Sequence, residues 1–470
     1  AVAVAEAAAD GMEVELSLKM ALQEFIDLLP DEKATHAISW IVTASTVRTL
    51  SGLISDWDNE TVAPIKLLEA LLENGWRLAD EEGTALHRSW AMLSDRLRTQ
   101  IREAAEEARS CAFIHDLCCR DHLGDVASDE VAILDKPSRI QRAMDAAERV
   151  KRLGNLEMVP LTESDACEVL EYARLAHTDK YVSRQLAALD RAEESSQRQA
   201  ASVFSGSSHR ESGGDTQAAR GTRQAVVSSL QCVLRGVDAV LKGEYLHPFC
   251  CVRPPGHHVG RDGRTHEAVS QGFCFFNNVG IAAKYAVDHL GLKRVAVIDF
   301  DVHHGNGTQE ILSSDSRFFF VSTHVRNSAF YPCTGHEEGQ PAHVANVDLA
   351  KGFEFSDLLA GLAEEEVEQK LCVFQPELII LSSGFDAHKT DPSQGARLET
   401  NDFYELTQRF ISLAWRIESC HGRLLSVLEG GYDVKVGGGL QSSIEAHMRA
   451  LSRKDPPKGN APVSGSKRRR

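Results

Sequence analysis

The feature that most narrows the fold is an alternation that begins at Phe249. Short apolar runs fall at Phe249–Val252, Arg294–Phe300, Phe318–Ser322, Leu378–Ser382 and Leu424–Leu428. Helical patterns separate several of them, among them Asn277–Leu290 and Phe353–Cys372. Runs that are apolar throughout suit strands buried on both faces, and strand–helix alternation pairs such strands in parallel. The expected class is α/β, a central parallel sheet with helices on both faces. In such sheets ligands bind beyond the carboxyl ends of the strands. Polar residues just after each run are therefore the candidate site.

The rest of the chain divides around that core. The first ~110 residues carry helical spacing, with Ile65, Leu67, Leu68, Leu71 and Leu72 on one stripe and Leu93, Leu97 and Ile101 on another. We read 1–109 as an all-helical extension, either a small bundle or a partner-binding module. Cys111–Ile114 reads as a first strand and Ser138–Val150 as a helix. Residues 193–214 are rich in Ser, Gln and Gly and read as a flexible loop. The main domain is expected over 110–451. Residues 452–470 form a tail that ends Lys467-Arg468-Arg469-Arg470 and is expected to be disordered, its basic cluster a candidate nuclear signal.

Charge and cysteines exclude several classes. A net charge of −17 argues against direct nucleic-acid or membrane-surface binding. No apolar stretch is long enough to span a bilayer. The 11 cysteines are scattered, with no pair of CxxC motifs, which speaks against a structural zinc knuckle. Cys118–Cys119 and Cys250–Cys251 both read as parts of strand-like runs. Reduced cysteines point to the nucleus or the cytoplasm. The chain opens on Ala rather than Met, which leaves a removed upstream segment open.

The chemistry sits at the strand ends. One run leads into Asp299-Phe300-Asp301-Val302-His303-His304-Gly305-Asn306-Gly307. Asp301 and His303, two apart, face the same way in extended backbone. A carboxylate and an imidazole suit Zn²⁺, and Asp386, after another run, can be a third ligand. Three protein ligands leave one coordination position open, as catalysis requires. Arg253-Pro254-Pro255-Gly256-His257-His258 and Leu428-Glu429-Gly430-Gly431-Tyr432-Asp433 follow two further runs.

These motifs, with Gly272-Phe273-Cys274-Phe275-Phe276-Asn277-Asn278, resemble those of zinc-dependent histone deacetylases, and their wording resembles class II. The resemblance spans Cys111 to Leu451. It implies the arginase/deacetylase fold and hydrolysis of the acetyl amide of N6-acetyl-lysine. It implies one Zn²⁺ held by Asp301, His303 and Asp386. It makes His258 the general base and acid, His257 its electrostatic helper and Tyr432 the oxyanion donor. Asp299 would orient His257, and Asn306 would orient His258. Asp299, Asp301 and His303, with Ser322, would hold K⁺ or another monovalent cation. Gly272, Phe273 and Tyr331 would line the acyl-lysine tunnel, Asp215 would grip the substrate backbone, and Arg139 would line an internal channel. Implied partners are an acetylated protein, histone or not, and corepressor-type proteins.

The chain departs from the family pattern at the tunnel. The segment from Val259 to Gln271 is several residues longer than in most class II members. Tyr331 replaces a usual Phe, Cys333 a usual Gly, and Ser393 a usual Leu or Met. These changes touch substrate choice rather than metal or proton transfer. Two other functions stay open: an amidohydrolase of acetylpolyamines or other small amides, and an acetyl-lysine-binding scaffold with little turnover.

Overall fold

The computed structural model describes residues 111–122, 134–152, 156–161, 166–194, 201–202, 215–265, 268–326, 329–336 and 339–453. The N-terminal extension, most of 193–214 and the tail beyond 453 lie outside the described residues. Of the expected loop, Glu193 and Glu194 close the helix Asp179–Glu194, and Ala201–Ser202 pairs antiparallel with Gln217–Ala218.

Eight strands form one parallel sheet: β1 (Cys111–His115), β2 (Leu156–Pro160), β3 (Phe249–Cys251), β4 (Val295–Asp299), β5 (Phe318–Val325), β6 (Val344–Leu349), β7 (Leu378–Ser383) and β8 (Leu424–Leu428). Their order across the sheet is β6-β5-β4-β7-β8-β3-β1-β2. Every residue of β1, β3, β4, β5, β7 and β8 is buried, so helices cover both faces as the apolar runs require. The two edge strands, β2 and β6, are only partly buried, and their polar Glu157, Asn346 and Asp348 hide them from a search for apolar runs.

The helices follow their apolar stripes. Thr400–Arg416 buries Phe403, Leu406, Thr407, Phe410, Ile411 and Ala414 at three- and four-residue spacing. Glu399 and Asp402 exchange side-chain and backbone hydrogen bonds at its start, which satisfies two otherwise orphaned N–H groups.

Two expected elements are corrected. The helix expected over Phe353–Cys372 is two helices, Phe355–Glu364 and Val367–Phe374, broken where Glu366 turns left-handed at φ 50°. Three consecutive glutamates, Glu364–Glu366, close the first, and the helix dipole disfavours negative charge there. Cys118 and Cys119 lie in a 3₁₀ turn, Leu117–Arg120, not in a strand. Asp116 ends β1 by accepting the Cys118 N–H at 2.9 Å.

The four strands that carry the chemical motifs, β4, β7, β8 and β3, are adjacent in the sheet. Their carboxyl ends therefore meet at one place.

Candidate active site

Asp301, His303 and Asp386 converge just beyond β4 and β7. One ligand atom from each lies within 4.8 Å of the other two. His303 Nδ1 is 2.8 Å from Asp301 Oδ1 and 3.0 Å from Asp386 Oδ2. The backbone fixes the carboxylates. Asp386 Oδ1 accepts the Val302 N–H at 3.0 Å, and Asp301 Oδ2 accepts the Gly430 N–H at 2.9 Å. Both aspartates are completely buried, and Asp386 Oδ2 accepts no hydrogen bond.

A dry pair of carboxylates with an unpartnered oxygen calls for a cation. The protonation pattern agrees. Burial pushes His303 down, but Asp301 and Asp386 overcome it and raise it to about 10. Burial and the neighbouring Asp301 raise Asp386. The donor set of two carboxylates and one imidazole fits Zn²⁺. Gly384 and Gly430 close the cradle, since a Cβ on either would overlap these carboxylates.

The paired histidines follow β3. His257 Nδ1 donates to Asp299 Oδ2 at 2.9 Å, and His258 Nδ1 donates to Asn306 Oδ1 at 2.7 Å. Their ring centroids are 3.9 Å apart. Burial lowers His257, but Asp299 and Asp301 raise it to about 10. Burial, then the charges of His257 and His303, hold His258 well below the ordinary histidine range. Two adjacent imidazoles thus have opposite proton affinities, the mark of divided acid–base roles.

Tyr432 ends the turn after β8. Its N–H donates to Asp391 Oδ2 at 2.7 Å. Arg139 braces the same turn: Nε donates to the Gly431 carbonyl at 2.6 Å, a second nitrogen reaches the Glu429 carbonyl, and the guanidinium lies 5.0 Å from the Tyr432 ring centroid. Asp135 bonds both Arg139, at 2.7 Å, and Arg253, at 3.0 Å. Arg139 is thus found as a clamp on the tyrosine turn. Burial pushes the Tyr432 hydroxyl well above its usual value, so it stays a donor at neutral pH.

The remaining residues of the reading surround this centre. The Tyr331 ring is 4.7 Å from His258, and its hydroxyl donates to the Ser270 carbonyl at 3.1 Å. Phe273 packs 6.0 Å from Tyr432, and its N–H donates to Thr216 Oγ1 at 3.2 Å. Gly272 stands against both His258 and Tyr331. Asp215 Oδ2 accepts from Ser270 Oγ at 2.7 Å, which ties it to this wall. Ser322 pairs in register with Asp299 across β4 and β5.

Four residues of the site were assigned no role from the sequence. Phe330 stacks on His303 at 5.0 Å and 13°. Glu429, fully buried, accepts the N–H groups of Gly256 at 2.7 Å and His257 at 3.2 Å. Asp391 holds the Tyr432 backbone, and Thr265 hydrogen-bonds Asn306. Glu429 and Asp391 were findable, since each stands beside a residue already singled out. Phe330, beside Tyr331, was findable in the same way, and Thr265 announces itself only through the fold.

Comparison with known proteins places the chain in a family. A family model described as "Histone deacetylase domain" matches residues 134–451. Type-2 histone deacetylase 2 of Dictyostelium discoideum is 43% identical over 217 residues, 44% of this chain and 13% of that protein. Histone deacetylase 10, chloroplastic, of Oryza sativa subsp. japonica is 40% identical over 215 residues, 43% of this chain and 44% of that protein. The chain thus spans less than half the length of either relative. The crystal structure of the HDA15 HD domain superposes with a TM-score of 0.60 at 24% identity, covering 74% of this chain and 91% of that one. That likeness speaks for the fold alone.

Proposed function

Because the chain belongs to the histone deacetylase family, we propose that it hydrolyses the acetyl amide of N6-acetyl-lysine in proteins such as histones, releasing acetate with the help of one Zn²⁺. The observation that carries this reading is the buried Asp301–His303–Asp386 cluster with its Asp386 oxygen that accepts no hydrogen bond, beside a histidine pair held by Asp299 and Asn306.

An amide is a poor electrophile, and Zn²⁺ held by Asp301, His303 and Asp386 would polarise its carbonyl and acidify water at neutral pH. His258 carries its hydrogen on Nδ1 toward Asn306, so Nε2 is free to take a proton from the attacking water and return it to the leaving amine. His257, held cationic by Asp299, favours the negative charge that develops on oxygen. The Tyr432 hydroxyl donates to that oxygen, a contact worth about 3 kcal/mol in comparable oxyanion sites. Phe273, Phe330 and Tyr331 suit the apolar stem of a lysine whose charge acetylation has removed. Asp215 is assigned to the substrate backbone at the rim. Main-chain oxygens of Asp299, Asp301 and His303, with Ser322, are assigned to a structural monovalent cation.

Partners in this reading are acetylated proteins and corepressor-type proteins, with a role in chromatin and transcription. The charge of −17 disfavours direct nucleic-acid contact. No described helix is long and apolar enough to cross a membrane. The ten cysteines with described side chains are free thiols, which suits the reducing nucleus or cytoplasm. A fluorescent fusion separates these from the chloroplast, named for the rice relative.

The test is acetate release from an acetylated histone-tail peptide by zinc-replete protein beside a chelator-stripped control. Release only with metal supports the reading. A strong preference for acetylpolyamines replaces the substrate, and peptide binding without turnover replaces the enzyme with a scaffold.

A further inference from the structure

We infer that Thr265 is a positioning residue for the proton-transferring histidine and acts through Asn306. The inference rests on the hydrolase reading above. Asn306 is the first residue of the helix Asn306–Leu312. Its Oδ1 accepts from His258 Nδ1 at 2.7 Å, and its Nδ2 donates to Thr265 Oγ1 at 2.7 Å. All three residues are buried.

The two ends of a carboxamide are unlike, and the reaction needs one particular end toward His258. The imidazole must present a bare Nε2 to receive a proton. Once it has, both ring nitrogens carry hydrogen and Nδ1 still needs an acceptor. Only the Asn306 oxygen serves both states. With the amide reversed, its NH₂ would oppose the Nδ1–H of the imidazolium. In the orientation found, the NH₂ end needs an acceptor of its own in a buried setting. Among the described residues Thr265 Oγ1 is that acceptor. A buried amide left without it loses the reason to stay in place.

The long segment after His258 is what brings Thr265 there. Val259 pairs with Arg264, and Gly260 with Gly263, in a tight antiparallel turn. The turn is pressed onto the helix that begins with Asn306. A Cβ on Gly307 would overlap the Val259 backbone, and Glu310 Oε1 accepts the Arg261 N–H at 2.9 Å. From the other side, His177 Nδ1 donates to the Gly260 carbonyl at 2.8 Å, and Asn277 Nδ2 donates to the Val259 carbonyl at 2.9 Å. Thr265 follows the turn directly, so its hydroxyl is fixed against the amide. The extra length between His258 and Gly272 thus supports the general base as well as the tunnel wall.

The experiment is a kinetic cycle on the zinc-loaded full chain with the acetylated histone-tail peptide. Thr265→Val keeps the shape and removes the acceptor. It should lower kcat roughly ten- to hundredfold, the range for residues that orient active-site ligands, and leave KM and zinc content unchanged. Thr265→Ser, which restores the hydroxyl, should recover most of the rate. In an Asn306→Ala background Thr265→Val should cost nothing further. Thermal melts of each variant identify any that simply unfolds, and the Ser variant then carries the comparison. Wild-type kcat in Thr265→Val overturns the inference. So does an equal further loss in the Asn306→Ala background, or a Ser variant as slow as the Val variant. A zinc-loaded wild type without turnover overturns the hydrolase reading instead, and this inference with it.

Discussion

Adding one methyl group to Gly430 should weaken metal binding while leaving the fold in place. Gly430 donates its N–H to Asp301 Oδ2 at 2.9 Å, so its backbone lies directly against the cluster. A Cβ there would overlap carboxylate oxygens of both Asp386 and Asp301, whereas real Cβ atoms essentially never approach such neighbours within 3.0 Å. Gly430 does not have a positive φ, so alanine meets no backbone strain and the effect isolates the close approach. One or both carboxylates must retreat by about 1 Å, a misplacement that costs on the order of 10²-fold in a positioned site. Zinc affinity should fall 10- to 100-fold, about 1.4–2.7 kcal/mol. The assay is zinc titration against a chromogenic chelator, with kcat/KM measured at saturating zinc. Gly430→Ala should bind zinc weakly and stay slow even when loaded. A variant with wild-type affinity and wild-type kcat/KM would refute the assignment of these carboxylates as ligands.

Tyr432→Phe should lose about 10²–10³-fold in kcat with zinc retained, and near-normal turnover would sink the oxyanion role. Asp386→Ala should lose metal and activity together; stoichiometric zinc in that variant would strike Asp386 from the ligand set. Chelation should lower the melting temperature of the wild type, since zinc at 100 times its Kd adds about 2.7 kcal/mol of stability, and an unchanged melt would argue against a tight folded-state site. Burial lifts Glu429 from 4.5 to about 7, against the pull of His257. The folded protein therefore binds more protons than the unfolded chain between those values, and stability falls as pH rises through that window. Glu429→Gln removes a penalty of about 3 kcal/mol at pH 8, so its melting advantage should grow from pH 5 to pH 8. A pH-independent difference between the two proteins would contradict the buried-charge account.

What could be read in advance divides by the range of the interaction. Asp301, His303, Asp386, His257, His258 and Tyr432 stand in short runs just after apolar strands, and a parallel sheet sends such residues to one end. Asp299 and Asn306 came with them through the family resemblance, whose motif runs from Asp299 to Gly307. Thr265 did not, because it touches Asn306 across the fold and stands in no motif; Phe330 stands beside Tyr331, but its contact with His303 is set by the fold. The strand errors have local causes. Cys118 and Cys119 were read as strand-like from their apolar side chains, but Asp116 supplies a side-chain acceptor that turns the chain after β1. Strand β5 was expected to stop at Ser322 and runs on to Val325. Thr323 and His324 are polar yet buried, and His324 Nδ1 hydrogen-bonds Ser322 Oγ at 3.1 Å.

The distribution of buried charge shows why this site would suit a cation. Asp299, Asp301, Asp386 and Glu429 are all fully buried at one end of the sheet. Each is individually costly to bury. Glu429 offsets its cost by accepting backbone N–H groups that shape the Gly256–His257 turn, and Asp299 offsets its own through His257. Asp301 and Asp386 face each other across His303, and a proton on that ring satisfies them only in part, since Asp386 Oδ2 still accepts nothing. A divalent ion answers both carboxylates at once. The neighbouring charges Arg139 and Arg253 do not take that place, because they are spent on Asp135 and on the carbonyls of the Tyr432 turn. The fold therefore spends Arg139 on the tyrosine turn and Arg253 on Asp135 and nearby carbonyls, and leaves Asp386 Oδ2 without a hydrogen bond. In the proposed hydrolase that division would keep the Tyr432 turn rigid, while an ion held by Asp301, His303 and Asp386 would polarise the amide carbonyl.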